Sequence, residues 1–209
     1  MRKDFADISS NNPSVNLKQY AAAKYPLVAI KLGGGKGDQW DGNPQFFSQW
    51  QEAGSLGLAR WCYWYWRAEA TGSTGYDQAT QVIRLISGLR PQRYDRIVLD
   101  FETMLTNPGH NNDQARQFID TLQRGGHTPL LYASPGFLNQ YNNPQFGVDL
   151  WIADYASKIW NPGGYKIAAW QHSTVLDGKG IGSPPYGAAG IGYCDMNVLT
   201  SYGIRKHLR

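Results

Sequence analysis

The apolar positions of this chain fall into short runs whose period changes along its length. Phe5-Ala6-Asp7-Ile8 predicts a strand that ends in a polar loop, Ser9 to Pro13. Asn16 to Lys24 has the spacing of a short helix, and Leu27 to Leu32 reads as a second strand. Gly33 to Gly37 predicts a break and a flexible loop. Pro44 to Ala53 predicts a helix with Phe46, Phe47 and Trp50 on one face, and Leu58 to Trp66 a third strand. Thr74-x-x-Asp77 has the form of a capping box, followed at helical spacing by Ala79, Val82, Ile83, Ile86 and Leu89, with Pro91 as the stop. Arg96 to Glu102 is a fourth strand. The next helix, capped by Asn112, carries Ala115, Phe118, Ile119 and Leu122 and closes at Gly125-Gly126. Leu130 to Ala133 is a fifth strand.

Beyond Ala133 the helical period disappears. Leu150 to Ala153, Ile167 to Gln171 and Tyr193 to Asn197 predict strands joined by loops of Gly, Pro and Asn. Alternating strands and helices indicate the α/β class with a parallel sheet. Eight strands predict an irregular TIM-like barrel, about five β/α units followed by three strands with few or no helices. A barrel with all its helices usually needs about 250 residues, so the loss of late helices explains how 209 can suffice. No repeat or low-complexity linker divides the chain, and residues 1–209 are expected to form a single domain.

Composition narrows the partners. Only 17% of residues are charged, yet no run approaches the ~18 apolar residues of a membrane span, so membrane insertion is not expected. The net charge of +4 is scattered except for the tail Arg205-Lys206-His207-Leu208-Arg209. Without a basic stripe or a recognised motif, nucleic acid is not an expected partner, although weak attraction to a polyanionic cell wall is compatible. His110, His127, His172 and His207 lack metal-ligand spacing, and Gly33 to Gly37 lacks that of a phosphate-binding loop, so no metal or other cofactor is expected. His172 reads as a residue of the rim, or one supporting the site from behind, rather than a catalyst. Met1-Arg2-Lys3-Asp4-Phe5 has no apolar segment behind it and does not read as a signal peptide.

The sharpest chemical signal is Ile97-Val98-Leu99-Asp100-Phe101-Glu102. Strand side chains alternate faces, so Asp100 and Glu102 share one face and Ile97, Leu99 and Phe101 the other. The acids then sit at the carboxyl end of the strand, where barrel enzymes place their chemistry. Paired carboxyl groups are the minimum equipment for glycoside hydrolysis, one protonated and one ionised, and repulsion with desolvation separates their pKa values. The same pair in isolation is also compatible with a solvated strand end or a cation site. Asp7, Asp154 and Asp195 end other strands, and Tyr63, Tyr65, Tyr132, Trp170 and Gln171 accompany them. In a closed barrel the first and last strands are neighbours, which brings Asp7 to Asp195. By the same period Trp64 and Trp66 pack under helices, and Cys62 and Cys194 point outward on non-adjacent strands, which predicts two free buried thiols.

In chain order, Phe5-Ala6-Asp7-Ile8-Ser9, Ala29-Ile30-Lys31, Tyr63-Trp64-Tyr65, Leu99-Asp100-Phe101-Glu102, Leu131-Tyr132, Leu150-Trp151-Ile152-Ala153-Asp154-Tyr155, Trp170-Gln171 and Cys194-Asp195-Met196-Asn197 resemble the glycoside hydrolase family 25 lysozymes. The likeness spans nearly the whole chain. It implies an N-acetylmuramidase that hydrolyses the β-1,4 bond between N-acetylmuramic acid and N-acetylglucosamine in peptidoglycan with retention. Glu102 would be the acid/base, and Asp100 either the nucleophile or the group steering the substrate's 2-acetamido attack. Asp7 and Asp195 would hold the network, and Tyr63, Tyr65, Tyr132, Asp154, Trp170 and Gln171 would line the sugar sites. The expected partner is the glycan strand of peptidoglycan, met by a monomer. The expected setting is a phage or prophage lysin, made in the host cytoplasm and released through holins, or a lytic part of a virion. The sequence departs from the family at Leu32 to Gly37, where an acidic, glycine-bearing segment is common, and at Trp64, where a His often stands. Two competitors remain at this level: a non-catalytic glycan-binding or structural barrel of a phage particle, and a metal-dependent amidase or deacetylase.

Overall fold

The computed structural model describes residues 3–12, 14–36, 39–66, 74–103, 108–156, 158–159, 161, 164–176 and 179–208; Met1, Arg2, Pro13, Gly37 and Arg209, named above, lie outside them. In chain order the strands are β1 (Asp4–Ile8), β2 (Leu27–Lys36), β3 (Gln39–Gly42), β4 (Ala59–Tyr65), β5 (Arg96–Asp100), β6 (Pro129–Ala133), β7 (Asp149–Ala153), β8 (Ile167–Leu176), β9 (Lys179–Gly182), β10 (Gly187–Ala188), β11 (Gly192–Tyr193) and β12 (Asp195–Leu199). The helices are α1 (Leu17–Ala22), α2 (Phe46–Ser55), α3 (Gly75–Ile86), α4 (Pro108–Arg124), α5 (Pro135–Gln140) and α6 (Ser201–His207).

Eight strands close an irregular TIM-like barrel in the order β1-β12-β8-β7-β6-β5-β4-β2, with β2 pairing back to β1. Period-two alternation builds its two layers. Phe5, Ala29, Trp61, Val98, Leu130 and Trp151 fill the barrel, with Trp61 edge-on to Phe5 at 5.3 Å and to Trp151 at 5.8 Å. Their chain neighbours Ile30, Cys62, Leu99, Leu131 and Ile152 face outward beneath the helices, against Trp50, Val82 and Phe118. Trp64 and Trp66 lie in this outer layer, and their indole N–H groups donate to Gln78 and Asn111. Cys62 and Cys194 are there too, both free and buried, and burial pushes each thiol up to about 12.

The structure corrects the sequence reading at several points. The last strand, β12, runs antiparallel to β1 and β8, so the barrel is not wholly parallel. Gly33 to Lys36 does not break the second strand. Gly33 and Gly34 continue β2 beside Trp64 and Tyr65 of β4 while pairing with β3. A Cβ on Gly34 would lie 2.7 Å from the Tyr65 Cβ and carbonyl, so the glycines permit close strand approach rather than a turn. α4 starts one turn before Asn112, at Pro108, a residue suited to a first helical position. Asn112 instead donates to the Tyr141 carbonyl. Phe46 and Trp50 are buried, but Phe47 is exposed. Tyr193 belongs to the β10–β11 ribbon, not the last strand. The caps of α5 and α6 were legible: Ser134 accepts from the Phe137 N–H ahead of Pro135, and Thr200 from that of Gly203. Both helices are too short to show a period.

α3 and α4 meet at a glycine. A Cβ on Gly75 would fall 1.9 Å from the Gln114 carbonyl oxygen, and the Gly75 N–H donates to the Gln114 side chain at 2.7 Å. Alanine gains about 1 kcal/mol of helix propensity, but here it meets backbone that can move only if two helices part. Gly75→Ala is expected to cost about 1–3 kcal/mol net, the range for overpacking, read as a lower denaturant midpoint; an unchanged midpoint would show that the two helices separate freely.

Candidate active site

The carboxyl ends of the parallel strands form one open cleft. Asp100 is the last residue of β5, and Glu102 follows two positions on, beyond the strand end but still on the inward side. Asp7 and Asp195 are paired across β1 and β12. Asp195 opens its strand rather than ending it, and it reaches the mouth because β12 runs antiparallel. Tyr63 and Tyr65 of β4, Tyr132 of β6 and Gln171 of β8 line the same cleft. Eight of the residues singled out from the sequence are thus together: Asp7, Tyr63, Tyr65, Asp100, Glu102, Tyr132, Gln171 and Asp195.

Asp154 and Trp170 are not among the residues lining it. Trp170 is the chain neighbour of the inward Gln171 and so takes the other face of β8, packing against the outer core. Its indole N–H donates to the Asp154 carbonyl at 2.5 Å. The Asp154 carboxylate accepts from the Ala156 N–H. His172, also outward, contacts the Ser183 carbonyl through Nδ1. Sequence reasoning passed over Lys31, Ser9, Asn11 and Trp151, which also line the cleft. Lys31 was available from the period of two, since it shares the face of Leu27 and Ala29. Strand register shifts between Lys31 and Gly33 and between Met196 and Asn197, and these irregularities adjoin two groups of the site.

A polar lattice fixes the floor. Asp7 Oδ2 accepts from Asn197 Nδ2 at 2.8 Å and Gln171 Nε2 at 3.1 Å. Asn197 is held in turn by the Trp151 indole N–H at 2.8 Å, and Gln171 Oε1 accepts from the hydroxyls of Tyr132 and Tyr155. Asp195 Oδ1 accepts from Thr174 Oγ1 at 2.7 Å and the Val175 N–H at 3.3 Å. Asp100 is 6% exposed, and its Oδ1 has no hydrogen-bond partner among the described residues.

Burial first, and then repulsion from Asp195, push the Asp7 carboxyl up to about 8. Burial and the neighbouring Glu102 hold Asp100 well above the usual carboxylate range, against the pull of Lys31. Enclosure also raises Glu102, opposed by Lys31, but its side chain stays open to water at the mouth, which limits that rise. Asp195 is raised by burial while Thr174 pulls it down. The cleft therefore holds protons at neutral pH beside an accessible carboxyl group, the provision that acid/base chemistry needs.

The model for "Glycosyl hydrolases family 25" matches residues 6–181. A comparison with curated protein sequences found no match. Among solved structures, the bacterial lysozyme from Streptomyces coelicolor superposes with a TM-score of 0.79 at 19% identity, over 98% of this chain and 95% of the other. A family 25 glycosyl hydrolase from Bacillus anthracis gives 0.76 at 18% identity, over 96% and 89%. The CTP1L endolysin gives 0.73 at 19% identity, over 97% and 68%. These structures share the fold, and with the family match running from the first strand to the β8–β9 hairpin, the chain belongs to family 25 of the glycosyl hydrolases and is a glycoside hydrolase.

Proposed function

We propose that the protein is a peptidoglycan hydrolase of the N-acetylmuramidase type, cleaving the MurNAc-β-1,4-GlcNAc bond with retention. The observation that carries this reading is Asp100 at the end of β5 and Glu102 just past it, both facing the cleft, the first buried on its floor and the second open at its mouth. Glu102 protonates the leaving glycosidic oxygen as the C1–O bond breaks, and later takes a proton from the incoming water. The unpartnered Asp100 Oδ1 suits an acceptor for the N–H of the substrate's 2-acetamido group, whose carbonyl oxygen then attacks C1. Water then attacks C1 from the face that the leaving sugar vacated, opposite the oxygen of the resulting ring, breaking the C1–O bond of that ring, and the configuration is retained. A glycosyl ester on Asp100 seen by mass spectrometry would replace this with direct attack by the carboxylate. Asp7 and Asp195 keep the floor ordered, and the tyrosines with Gln171 form the sugar-facing walls.

Residues 1–209 would act as one catalytic domain and as a monomer, on glycan strands, as a phage or prophage lysin. The deciding experiment is product analysis. Purified peptidoglycan is digested and the new ends are reduced with borohydride; reduced muramic acid is expected, and reduced glucosamine would make the enzyme a glucosaminidase. The non-catalytic barrel finds no support in four clustered carboxyl groups, which a pure binder does not require.

A further inference from the structure

Carboxyl groups gather at the mouth of the barrel, with Lys31 and the exposed Lys179 among them, and exposed basic side chains dominate the opposite end. The acids Asp7, Asp100, Glu102 and Asp195 sit at the mouth. At the opposite end, the segments feeding the parallel strands expose Lys3 before β1, Lys24 before β2, Arg90 and Arg93 before β5, and Lys166 before β8. β12 descends to that same end, so α6 adds the exposed Arg205 and Lys206. Hydrogen bonds knit these positions together. The buried Arg96 donates to the carbonyls of both Arg93 and Lys206, Arg60 donates to that of Arg90, and the Leu199 N–H donates to that of Lys3.

The acids at this end do not neutralise the surface. Asp95 turns inward to Arg60, which is also stacked on Trp50, and Asp149 is held by Tyr202 and the buried His207. Asp4 and Glu52 are half-buried, so no carboxylate at this end is fully exposed among the described residues. Most of the large exposed apolar side chains among the described residues stand elsewhere. Phe47 and Tyr76 begin helices that start at the mouth, and Tyr155 and Tyr193 belong to mouth-side segments. The aromatic ring at this face, Tyr94, is already covered by the Arg93 guanidinium, 5.3 Å from its centroid, and Ile83, Ile86 and Leu89 sit half-buried in a recess beside Pro91, so the exposed chemistry of the face is mainly cationic. It matches a polymer that offers regularly spaced negative charge and little else.

We infer that this end of the barrel is a docking face for the phosphodiester polymers attached to bacterial cell walls. The inference rests on the peptidoglycan reading above, because the ligand is then woven into the same material as the substrate. Anchoring by the face opposite the cleft leaves the mouth directed at glycan strands and raises the local concentration of substrate. Such an attachment is multivalent, weak at each contact and steeply salt-dependent.

The test measures adsorption of the whole protein to purified Gram-positive walls, before and after acid extraction of their teichoic acid. Adsorption to intact walls is expected to be at least tenfold stronger than to extracted walls, and to fall by a similar factor between about 0.1 and 0.5 M salt. The combined variant Arg90→Gln, Arg93→Gln, Arg205→Gln, Lys206→Gln should lose that tenfold while releasing reducing ends from extracted walls at the wild-type rate. If its melting point drops, Lys3→Gln with Lys166→Gln is used instead and should lose a smaller part of the adsorption. Equal adsorption to both walls, undiminished adsorption by the variants, or equally tight binding to duplex DNA or anionic vesicles at physiological salt would overturn the inference. Failure of the wild type to release reducing ends from extracted walls would instead overturn the glycosidase reading, because adsorption is scored independently of turnover.

Discussion

Glu102→Gln is expected to lower the release of reducing ends from peptidoglycan by on the order of 10²–10⁴-fold, the span ascribed to a positioned general acid/base, with little change in thermal stability. Both halves follow from its position. The side chain lies past the end of β5, open to water at the mouth of the cleft, where a glycosidic oxygen has access to it. Glutamine keeps its size and polarity but carries no acidic proton to give the departing sugar. Because the group is exposed, the exchange costs little folding energy, within about 0.5 kcal/mol as for other surface positions. The measurement pairs a reducing-end assay on purified walls with a melting curve. Near-wild-type turnover by a fully folded variant would remove Glu102 from the acid/base role. A matching loss of melting temperature would make the activity loss uninformative, and Glu102→Asp then serves, since it keeps the acid and moves it by one methylene.

The parts of the fold that the sequence reveals are those governed by strict alternation. Asp100, Tyr63, Tyr65 and Gln171 follow from the period of two, because inward positions near strand ends have nowhere to point but the mouth. The same rule argues against Trp170 as a lining residue, since two adjacent strand residues cannot both face inward. It would also have supplied Lys31, two positions beyond Ala29. The direction of β12 is different. Nothing in Asp195-Met196-Asn197 specifies it; tertiary pairing with β1 and β8 does. A sequence reading can therefore bring Asp7 beside Asp195 for an incomplete reason. Gly33 and Gly34 fail in the opposite sense. Glycine serves both turns and close backbone approach, and only the position of Tyr65 tells which is needed here.

Asn197 shows the limit of motif reading. It is fully buried, donates to Asp7 and accepts from Trp151. Its role depends on Trp151, which lies 46 residues earlier in the chain. A pattern confined to one strand carries no sign of that pairing. The site is legible where one strand presents it, and opaque where two distant strands share it.

Asp100→Asn should slow hydrolysis on the order of 10²–10³-fold, the loss seen when one preorganised transition-state contact is removed, and at the same time stabilise the protein above neutral pH. The carboxyl is buried, repelled by Glu102 and short of one hydrogen-bond partner, so its charged form is disfavoured in the fold. The folded protein therefore retains a proton that the unfolded chain releases above about pH 4. Where the native state binds more protons than the unfolded state, stability falls as pH rises. The stabilising contribution is complete below pH 4 and is lost as pH climbs toward the raised folded value; Asp7, pushed up to about 8, adds to the same slope. Asparagine has no proton to lose. Variant and wild type should melt together near pH 4, and the variant should melt higher at pH 8, by roughly 2–4 °C for each kcal/mol recovered in a chain of this size. Melting curves at the two pH values, with turnover measured alongside, check both claims. A variant less stable than wild type at pH 8 would mean that the ionised Asp100 is held favourably by Lys31, and that the acids on the cleft floor are a source of stability rather than a cost borne for catalysis.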